Sequence, residues 1–422
     1  MEKIGKYELI KKLGEGATSS VYLARDPFAE REVAIKKIAP GTFGELGGNV
    51  MRRLFLNEAS LAGKLVHPHI VEIFDAVADD GEAYLVMEYV DGGTLQRFTR
   101  GENLLALGDV VEIVYKCVRA LDFASQKGLI HRDIKPANIL VKGNNDIKIT
   151  DFGSAAMLLS QHTVIEGIGT PAYMSPEQHL NKPLNHQTDI YALGVVTFQL
   201  LTGRFPFEAG NIAALAHQVL NEDPPLPSEF RREIPTEIDM VVQRAIHRDP
   251  AVRYQTWQQF GDDLAAIASG GAPLPKQGMI ETERFNLLRS LVFFRAFSEV
   301  ELWEVLRAGE WVTVPKGEVI MKEGTPGDFF CILATGEARV SRKLRMISLL
   351  KPGECFGEMA YLGAPAKVRT ADVIAASELR MIRIGCDALE RMTEMTRLNF
   401  DRAFLRVLVE RLTVANSKLA GV

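Results

Sequence analysis

The first residues whose types and spacing could do chemistry are Gly14-Glu15-Gly16-Ala17-Thr18-Ser19-Ser20-Val21, preceded by Leu13. Two glycines at that spacing let backbone N–H groups approach phosphate oxygens with no Cβ in the way. The loop leads into SSVYLARD, a β-rich run, whereas a dinucleotide-binding loop leads into a helix. A plain glycine-containing hairpin turn has the same pattern. Downstream, Val33-Ala34-Ile35-Lys36 puts an ammonium on a strand facing that loop. A helical segment then carries Glu58, suited to pair with Lys36, although a glutamate there also reads as a solvated helix residue. Further on come His131-Arg132-Asp133-Ile134-Lys135-Pro136-Ala137-Asn138, then Asp151-Phe152-Gly153, then GTPAYMSPE from Gly169 to Glu177. Carboxylates, an amide and two lysines in this arrangement could handle phosphate and a hard cation.

A second set lies far downstream, in FGEMAYLGAPAKVRTA from Phe356 to Ala371. It offers Gly357, the Glu358 carboxylate, and then two cations, Lys367 and Arg369. It contains no nucleophile and no metal cluster, so binding is expected there and catalysis is not.

The elements that must position these residues follow from periodicity. From Tyr7 to about Tyr89 the runs YELIKKL, SSVYLARD, EVAIKKI and AYLVMEYV predict strands, interrupted by a helix in MRRLFLNEASLAGKL. From about Thr94 to Ala268 apolar residues recur at three- and four-residue steps, as in VVEIVYKCVRALDFASQKG, and predict helices. ASGGAPLPKQG, Ala268 to Gly278, is the linker candidate. NLLRSLVFF and SEVELWEVLRAG then predict helices. From Glu310 to about Arg383 short strands alternate with the turns PKGE, GTPGD, ATGE and KPGE, whose glycines suit positive φ. The tail from Asp387 to Leu419 returns to helix, with Phe400, Phe404, Leu408 and Leu412 on one face and Leu405 beside them.

Composition narrows the classes. The 422 residues are 47% hydrophobic and 24% charged, with a net charge of -5. That balance gives no electrostatic argument for nucleic acid or an anionic membrane. Cys117, Cys331, Cys355 and Cys386 are widely spaced, which argues against a zinc site or disulfide framework and for a reducing, cytoplasmic compartment. MEKIGKYELI lacks the apolar core of a signal peptide. IYALGVVTFQLL, Ile190 to Leu201, is too short to span a bilayer and is expected as a buried helix.

The first set, in order and spacing, resembles the protein kinase family, and HRDIKPAN with GTPAYMSPEQ is most similar to the bacterial-type serine/threonine kinases. Ser19 stands where a third glycine is common. The resemblance covers roughly Tyr7 to Ala268. It implies a bilobal fold, with an N-lobe at about 7–90 and a C-lobe at about 91–268, using ATP with Mg²⁺, or Mn²⁺ in its place. It implies that Asp133 orients the proton of the substrate hydroxyl, Lys135 reaches the transferred phosphate, and Asn138 and Asp151 hold the cation. Residues 13–21 would cover the nucleotide. Met87, Glu88 and Val90 would border the adenine, with Val21, Ala34 and Leu140 sandwiching the ring, although those three also read as plain core. Asp189 and Arg253 match residues that stabilise the helical lobe. Arg132 is expected to pair with a phosphate on the segment Asp151 to Glu177, with Thr163 first and Ser160 second as its site. Thr170 is expected to make a structural contact to Asp133, and Thr163 could equally be a plain loop residue.

The second set resembles the cyclic nucleotide-binding domain, a β-roll with flanking helices, over about Asn286 to Leu412. The resemblance implies that Glu358 accepts a hydrogen bond from a ribose 2′-hydroxyl. A short helix starting near Gly357, with Met359 and Ala360, would face the phosphate. Arg369 would neutralise it. In the commonest family pattern the arginine falls about two residues sooner, nearer Lys367. Arg369 is preferred because RTADVIAAS continues as the expected strand. Thr370 could touch the phosphate or a guanine amino group, so it does not choose between cAMP and cGMP.

The expected protein is α+β. A kinase domain over 1–268 and a linker over 269–284 precede a cyclic nucleotide-binding domain with C-terminal helices over 285–422. It would phosphorylate Ser or Thr of proteins under control of cAMP or cGMP, as a monomer or homodimer. The rivals are a roll that has lost its ligand and serves docking or dimerisation, and a catalytically dead scaffold. A DNA-binding regulator is disfavoured, because the chain given shows no helix-turn-helix after the roll.

Overall fold

The computed structural model describes the chain apart from residues 1, 17–18, 40–47, 79–82, 144, 153–170, 269–280, 344, 363–367 and 420–422. The side chains of 48–51, 54, 58, 360 and 414–419 also lie outside the description. The chain divides into two units, Met1–Gly278 and Met279–Val422, and the architecture is α+β.

In the first unit, β1 (Lys3–Ile4), β2 (Tyr7–Glu15), β3 (Ser19–Asp26), β4 (Arg31–Ile38), β5 (Ile73–Ala78) and β6 (Ala83–Glu88) form one antiparallel sheet in the order β1-β2-β3-β4-β6-β5. The β5 strand, IFDAVA, was not among the runs expected. It is an edge strand without a fully buried residue, and its apolar residues do not alternate with polar ones. Strand alternation fixes what β4 presents. Val33 and Ile35 join one core with Tyr7, Ala24 and Val86. Ala34 joins the opposite face with Val71 and Met87, and Lys36, two residues on, shares that face.

The helical part contains Leu107–Gln126 and His186–Thr202. The latter includes IYALGVVTFQLL and is buried from Gln187 to Leu201, as expected of a helix apolar all round. Asn185 caps its start through the Gln187 N–H, and Gly203 ends it in the left-handed conformation. A small sheet joins β7 (Gly93–Thr94) to β8 (Ile139–Lys142) and β9 (Asp146–Ile149), and the last two lie between residues 131–138 and 150–152 in sequence.

The second unit holds two four-stranded antiparallel sheets. One orders β10 (Glu310–Val314), β17 (Leu379–Gly385), β12 (Phe329–Thr335) and β15 (Cys355–Phe356). The other orders β11 (Val319–Met321), β16 (Asp372–Ala375), β13 (Ala338–Arg342) and β14 (Arg345–Leu350). Their inner faces share a core that includes Cys331, Leu333 and Met381 from one sheet and Met321, Ala338 and Val373 from the other. The turn glycines 317, 324, 336 and 353 have positive φ, but Gly327 does not; its reason is steric and appears below. Helices Glu281–Ser290, Glu299–Ala308 and Glu394–Leu419 flank the roll. Phe400 and Phe404 are fully buried against Phe293 and Phe330. Beyond Phe404 the expected apolar face continues only in part, with Leu408 half-buried. Leu405 and Leu412 are 59% and 61% exposed, because the aromatic cluster they would need to meet lies one or more turns earlier. Among the described residues no helix is long and apolar enough to cross a membrane.

Candidate functional site

In the first unit the glycine-rich segment is the turn of the β2–β3 hairpin. Gly14 stands opposite Val21 and Glu15 opposite Ser20, and the Gly16 N–H donates to the Ser19 carbonyl at 2.8 Å. Ala17 and Thr18, at its tip, lie outside the described residues. Beneath it, Val21, Val90 and Leu140 pack against Ala34 and Met87. The residues expected to hold a flat ring therefore do form one apolar cluster, drawn from the sheet and from β8. Leu13, by contrast, is 41% exposed. The Glu88 carboxylate pairs with Lys148 at 2.8 Å, which ties the end of β6 to β9.

The catalytic-type residues come from the two connections around β8 and β9. Lys36 Nζ lies 2.7 Å from Asp151 Oδ1. Glu58 is on the helix Gly48–Ala62, with its side chain outside the description. Asp133 Oδ2 accepts from Lys135 Nζ at 2.7 Å and from Asn138 Nδ2 at 3.1 Å. The Thr150 N–H donates to the Asn138 carbonyl at 2.9 Å, which binds the two connections to each other. Phe152 meets the His131 ring edge-on at 4.7 Å, and the His131 Nε2 lies 2.8 Å from the Thr150 carbonyl.

Backbone strain sits at this place. Arg132 and Asp151 both have φ of 65°, where side chains other than glycine are disfavoured. Asp189 holds the first of them: its two carboxylate oxygens accept the His131 and Arg132 N–H groups, each at 2.7 Å. Burial pushes the Asp189 carboxyl up, and those donors act in the opposite direction. Burial also pushes Asp151 up, but the Lys36 ammonium outweighs it and holds that carboxyl below its ordinary value. A second buried pair, Arg253 with Glu177 at 2.9 Å, anchors the end of the GTPAYMSPE segment.

The donor set fits a hard cation. Asn138 commits its Nδ2 to Asp133, so its Oδ1 is the atom that would serve a cation, with the Asp151 carboxylate as a second oxygen donor. Among the described residues no group of three or more His, Cys, Asp or Glu side chains could hold a metal. Two protein oxygens supplemented by phosphate oxygens is the arrangement Mg²⁺ accepts. Arg132 has a buried Nε with no partner among the described residues. Thr163, Ser160, Thr170 and Gly153 lie outside them.

In the second unit the expected helix at Gly357 is a single 3-10 turn, Glu358–Ala360, after Gly357 at φ 80°. Arg369 is 7% exposed. Its Nη1 donates to the Gly357 carbonyl at 3.1 Å and its Nη2 to the Phe329 carbonyl at 2.8 Å. The guanidinium also lies over the Phe329 ring at 4.5 Å. A Cβ on Gly327 would stand 2.8 Å from this guanidinium, and one on Gly357 would stand 2.7 Å from it. Either Cβ would therefore force the guanidinium to shift, and at Gly357 the Met321 side chain as well. Met359 is 39% exposed, Thr370 is exposed, and Lys367 lies outside the description.

Glu358 is 3% exposed, and its Oε1 accepts from Arg411 Nη1 at 2.6 Å. Arg411 was not foreseen. The available signal was its place in the tail helix, seven residues after Phe404 and so on the same face.

A unit with this loop, lysine and carboxylate arrangement, followed by a β-roll with a buried arginine, defines a kinase-type domain joined to a second, roll-shaped domain. Residues 7–263 match the model described as protein kinase domain, and residues 311–395 match the cyclic nucleotide-binding domain. The chain belongs to the protein kinase family. It is 37% identical over 296 residues to serine/threonine-protein kinase PknB of Mycolicibacterium smegmatis, covering 67% of this chain and 46% of that protein. It is 37% identical over 263 residues to serine/threonine-protein kinase PrkC of Bacillus subtilis (62% and 40%). It is 35% identical over 284 residues to serine/threonine-protein kinase PksC of Streptomyces coelicolor (64% and 50%). The chain thus spans half or less of the length of these curated relatives.

Proposed function

We propose that this chain is an ATP-dependent serine/threonine protein kinase whose cyclic nucleotide-binding domain controls transfer in response to cAMP or cGMP. The observation that carries the first half is the linked set Lys36–Asp151 and Lys135–Asp133–Asn138, in which each member contacts the next. Bound MgATP supplies the phosphoryl group and a cation that spreads its charge. Asn138 Oδ1 and Asp151 would hold that cation, and Lys36 on β4 would contact phosphate oxygens. Asp133 takes the hydrogen bond of the incoming Ser or Thr hydroxyl and aligns it for in-line attack. Lys135, already 2.7 Å from Asp133, stabilises the negative charge passing between the two oxygens. The apolar cluster around Ala34 and Met87 takes the adenine. The four free cysteines support a cytoplasmic site of action.

The regulatory half rests on Arg369, a buried guanidinium whose space is cleared by Gly327 and Gly357 and which suits one phosphodiester charge. The rival, a roll that has lost its ligand, is favoured by one observation: Glu358 already has an ionic partner in Arg411. The deciding experiment is transfer of labelled phosphate from ATP to a generic Ser/Thr substrate, with and without cAMP and cGMP, repeated on Arg369→Ala. A rate changed by one nucleotide and insensitive to it in the variant supports the reading. No binding and no change of rate with either nucleotide removes the regulatory half, and no transfer under any condition leaves a scaffold.

A further inference from the structure

The slot proposed for adenine has an edge, a floor and a charged tie between them. Its edge is the end of β6, where the backbone of Glu88 and Val90 borders the ring in the proposed reading. Its floor includes Leu140 of β8, which packs in one cluster with Ala34, Val71 and Met87. Lys148 of β9 stands directly opposite Leu140 in the β8–β9 register. Directly opposed side chains share a face, so the Lys148 stem and the Leu140 side chain leave the hairpin on the same side.

The Lys148 ammonium reaches the edge. It lies 2.8 Å from Glu88 Oε2 and donates to the Ile70 carbonyl at 3.3 Å. The same carboxylate oxygen accepts the Glu72 N–H at 3.4 Å, and the Glu88 N–H donates to the Glu72 carbonyl at 2.8 Å. Both side chains of the pair are mostly covered, at 19% and 29% exposed. Two residues beyond Lys148, the Thr150 hydroxyl meets the Met87 sulfur at 3.8 Å. Leu140, Lys148 and Thr150 therefore all address residues 87 and 88. Of the three, Lys148 sets the spacing, because apolar packing has no direction and a thioether is a weak acceptor.

We infer that Lys148 is a positioning residue for the adenine slot: through Glu88 it holds the edge of β6 at a fixed height over the Leu140 floor. The role rests on the proposed ATP reading and adds to it a residue outside the catalytic set. A flat ring between apolar faces is oriented only when its edge meets a few well-placed polar groups at the same time. Losing the tie leaves both walls present and their spacing loose. The phosphates, the cation and the substrate hydroxyl are handled by other residues. The loss therefore falls on the ring equally in the ground state and the transition state, which raises KM and leaves kcat in place.

The test measures initial rates of the full chain against MgATP with a generic Ser/Thr substrate. Calorimetric titration adds dissociation constants for adenosine and for magnesium tripolyphosphate, which has no ring. Lys148→Met keeps the stem and removes the ammonium. It should raise KM for ATP and weaken adenosine alike, by about fivefold, the upper end for a partly exposed ion pair. Both kcat and the tripolyphosphate constant should stay where they are. Lys148→Arg should restore wild-type values. Glu88→Gln should match Lys148→Met, and the double variant should be no worse than either, as for one shared contact. An unchanged KM, a fall in kcat instead, or equal weakening of adenosine and tripolyphosphate overturns the role. A variant that only melts earlier makes Lys148 a structural brace, which also overturns it. A wild type that binds adenosine but transfers no phosphate removes the transfer reading alone, and the adenosine constants then decide the role. A wild type that binds neither adenosine nor ATP removes both.

Discussion

The two sites of this chain both pair their charged groups internally, Lys36 with Asp151 and Lys135 with Asp133 in the first unit, yet they differ in backbone strain. In the first unit the backbone is strained. Arg132 and Asp151 are held at φ of 65°, and among the described residues Asn138 commits only its nitrogen, to Asp133. In the second unit both charged groups are already satisfied by the chain itself, Arg369 by two carbonyls and Glu358 by Arg411. The difference fits the two roles proposed, chemistry in the first unit and sensing in the second. A catalytic site must be complementary to charge that develops during reaction, so it holds its dipoles ready. A sensing site must have two states of similar free energy, so its empty form makes contacts that a ligand can exchange.

The sharpest way to break the comparison is Asp133→Asn. Transfer should fall by roughly a thousandfold, within the usual range for a positioned base, while cyclic nucleotide binding to the second unit stays unchanged. Parallel assays of both quantities check it. Next is Arg253→Ala, which strands a buried carboxylate at Glu177. Denaturant unfolding should show a loss of about 3–5 kcal/mol in the first unit. Third is Arg369→Ala. Losing a charge-assisted contact to the phosphodiester should weaken cyclic nucleotide binding by about 1.5–3 kcal/mol, read by titration calorimetry. Gly327→Ala sharpens the same point by a different route. It adds no charge and removes none, yet its Cβ would meet the guanidinium, so affinity should fall in the same direction.

The smallest effect is a pH dependence. Burial raises the Glu177 carboxyl, but Arg253 outweighs it, so the folded value lies below the ordinary 4.5. The unfolded state then binds more protons, and the contribution is present above the unfolded value and lost as pH falls through the folded one. Unfolding curves from pH 6 down to 3 should steepen with acid in wild type. They should be shallower in Glu177→Gln, by at most about 1.4 kcal/mol per pH unit.

The sequence made much of this legible, and for physical reasons. The loop, Lys36, Asp133, Asn138 and Asp151 are set by local chemistry at short spacings, and β4 alternation alone puts Ala34 and Lys36 on one face. The buried helix around Ile190 was visible from an apolar run with no exposed stripe. What escaped was of a different kind. The β5 strand, IFDAVA, lies half-exposed at a sheet edge, and its apolar residues do not alternate with polar ones, so period two is missing. Gly327 looked like a turn residue, yet its role is to clear space for a side chain 42 positions later. Arg411 acts on Glu358 across 53 residues. Helical spacing could place it on the face of Phe404, but nothing in the sequence named its partner. The tail face thinning beyond Phe404 depends on where the aromatic cluster lies, which is a tertiary fact.

The central claim, that one chain couples phosphoryl transfer to a nucleotide held by Arg369, is tested most directly by a single titration. Initial rates of phosphate transfer are measured on the full chain against increasing cAMP and, separately, cGMP, in wild type and Arg369→Ala. The account predicts a saturable change of rate with one ribonucleotide in wild type and a curve shifted far to higher concentration, or flat, in the variant. A response of the same size and midpoint in both proteins, or no response and no binding in wild type, contradicts it.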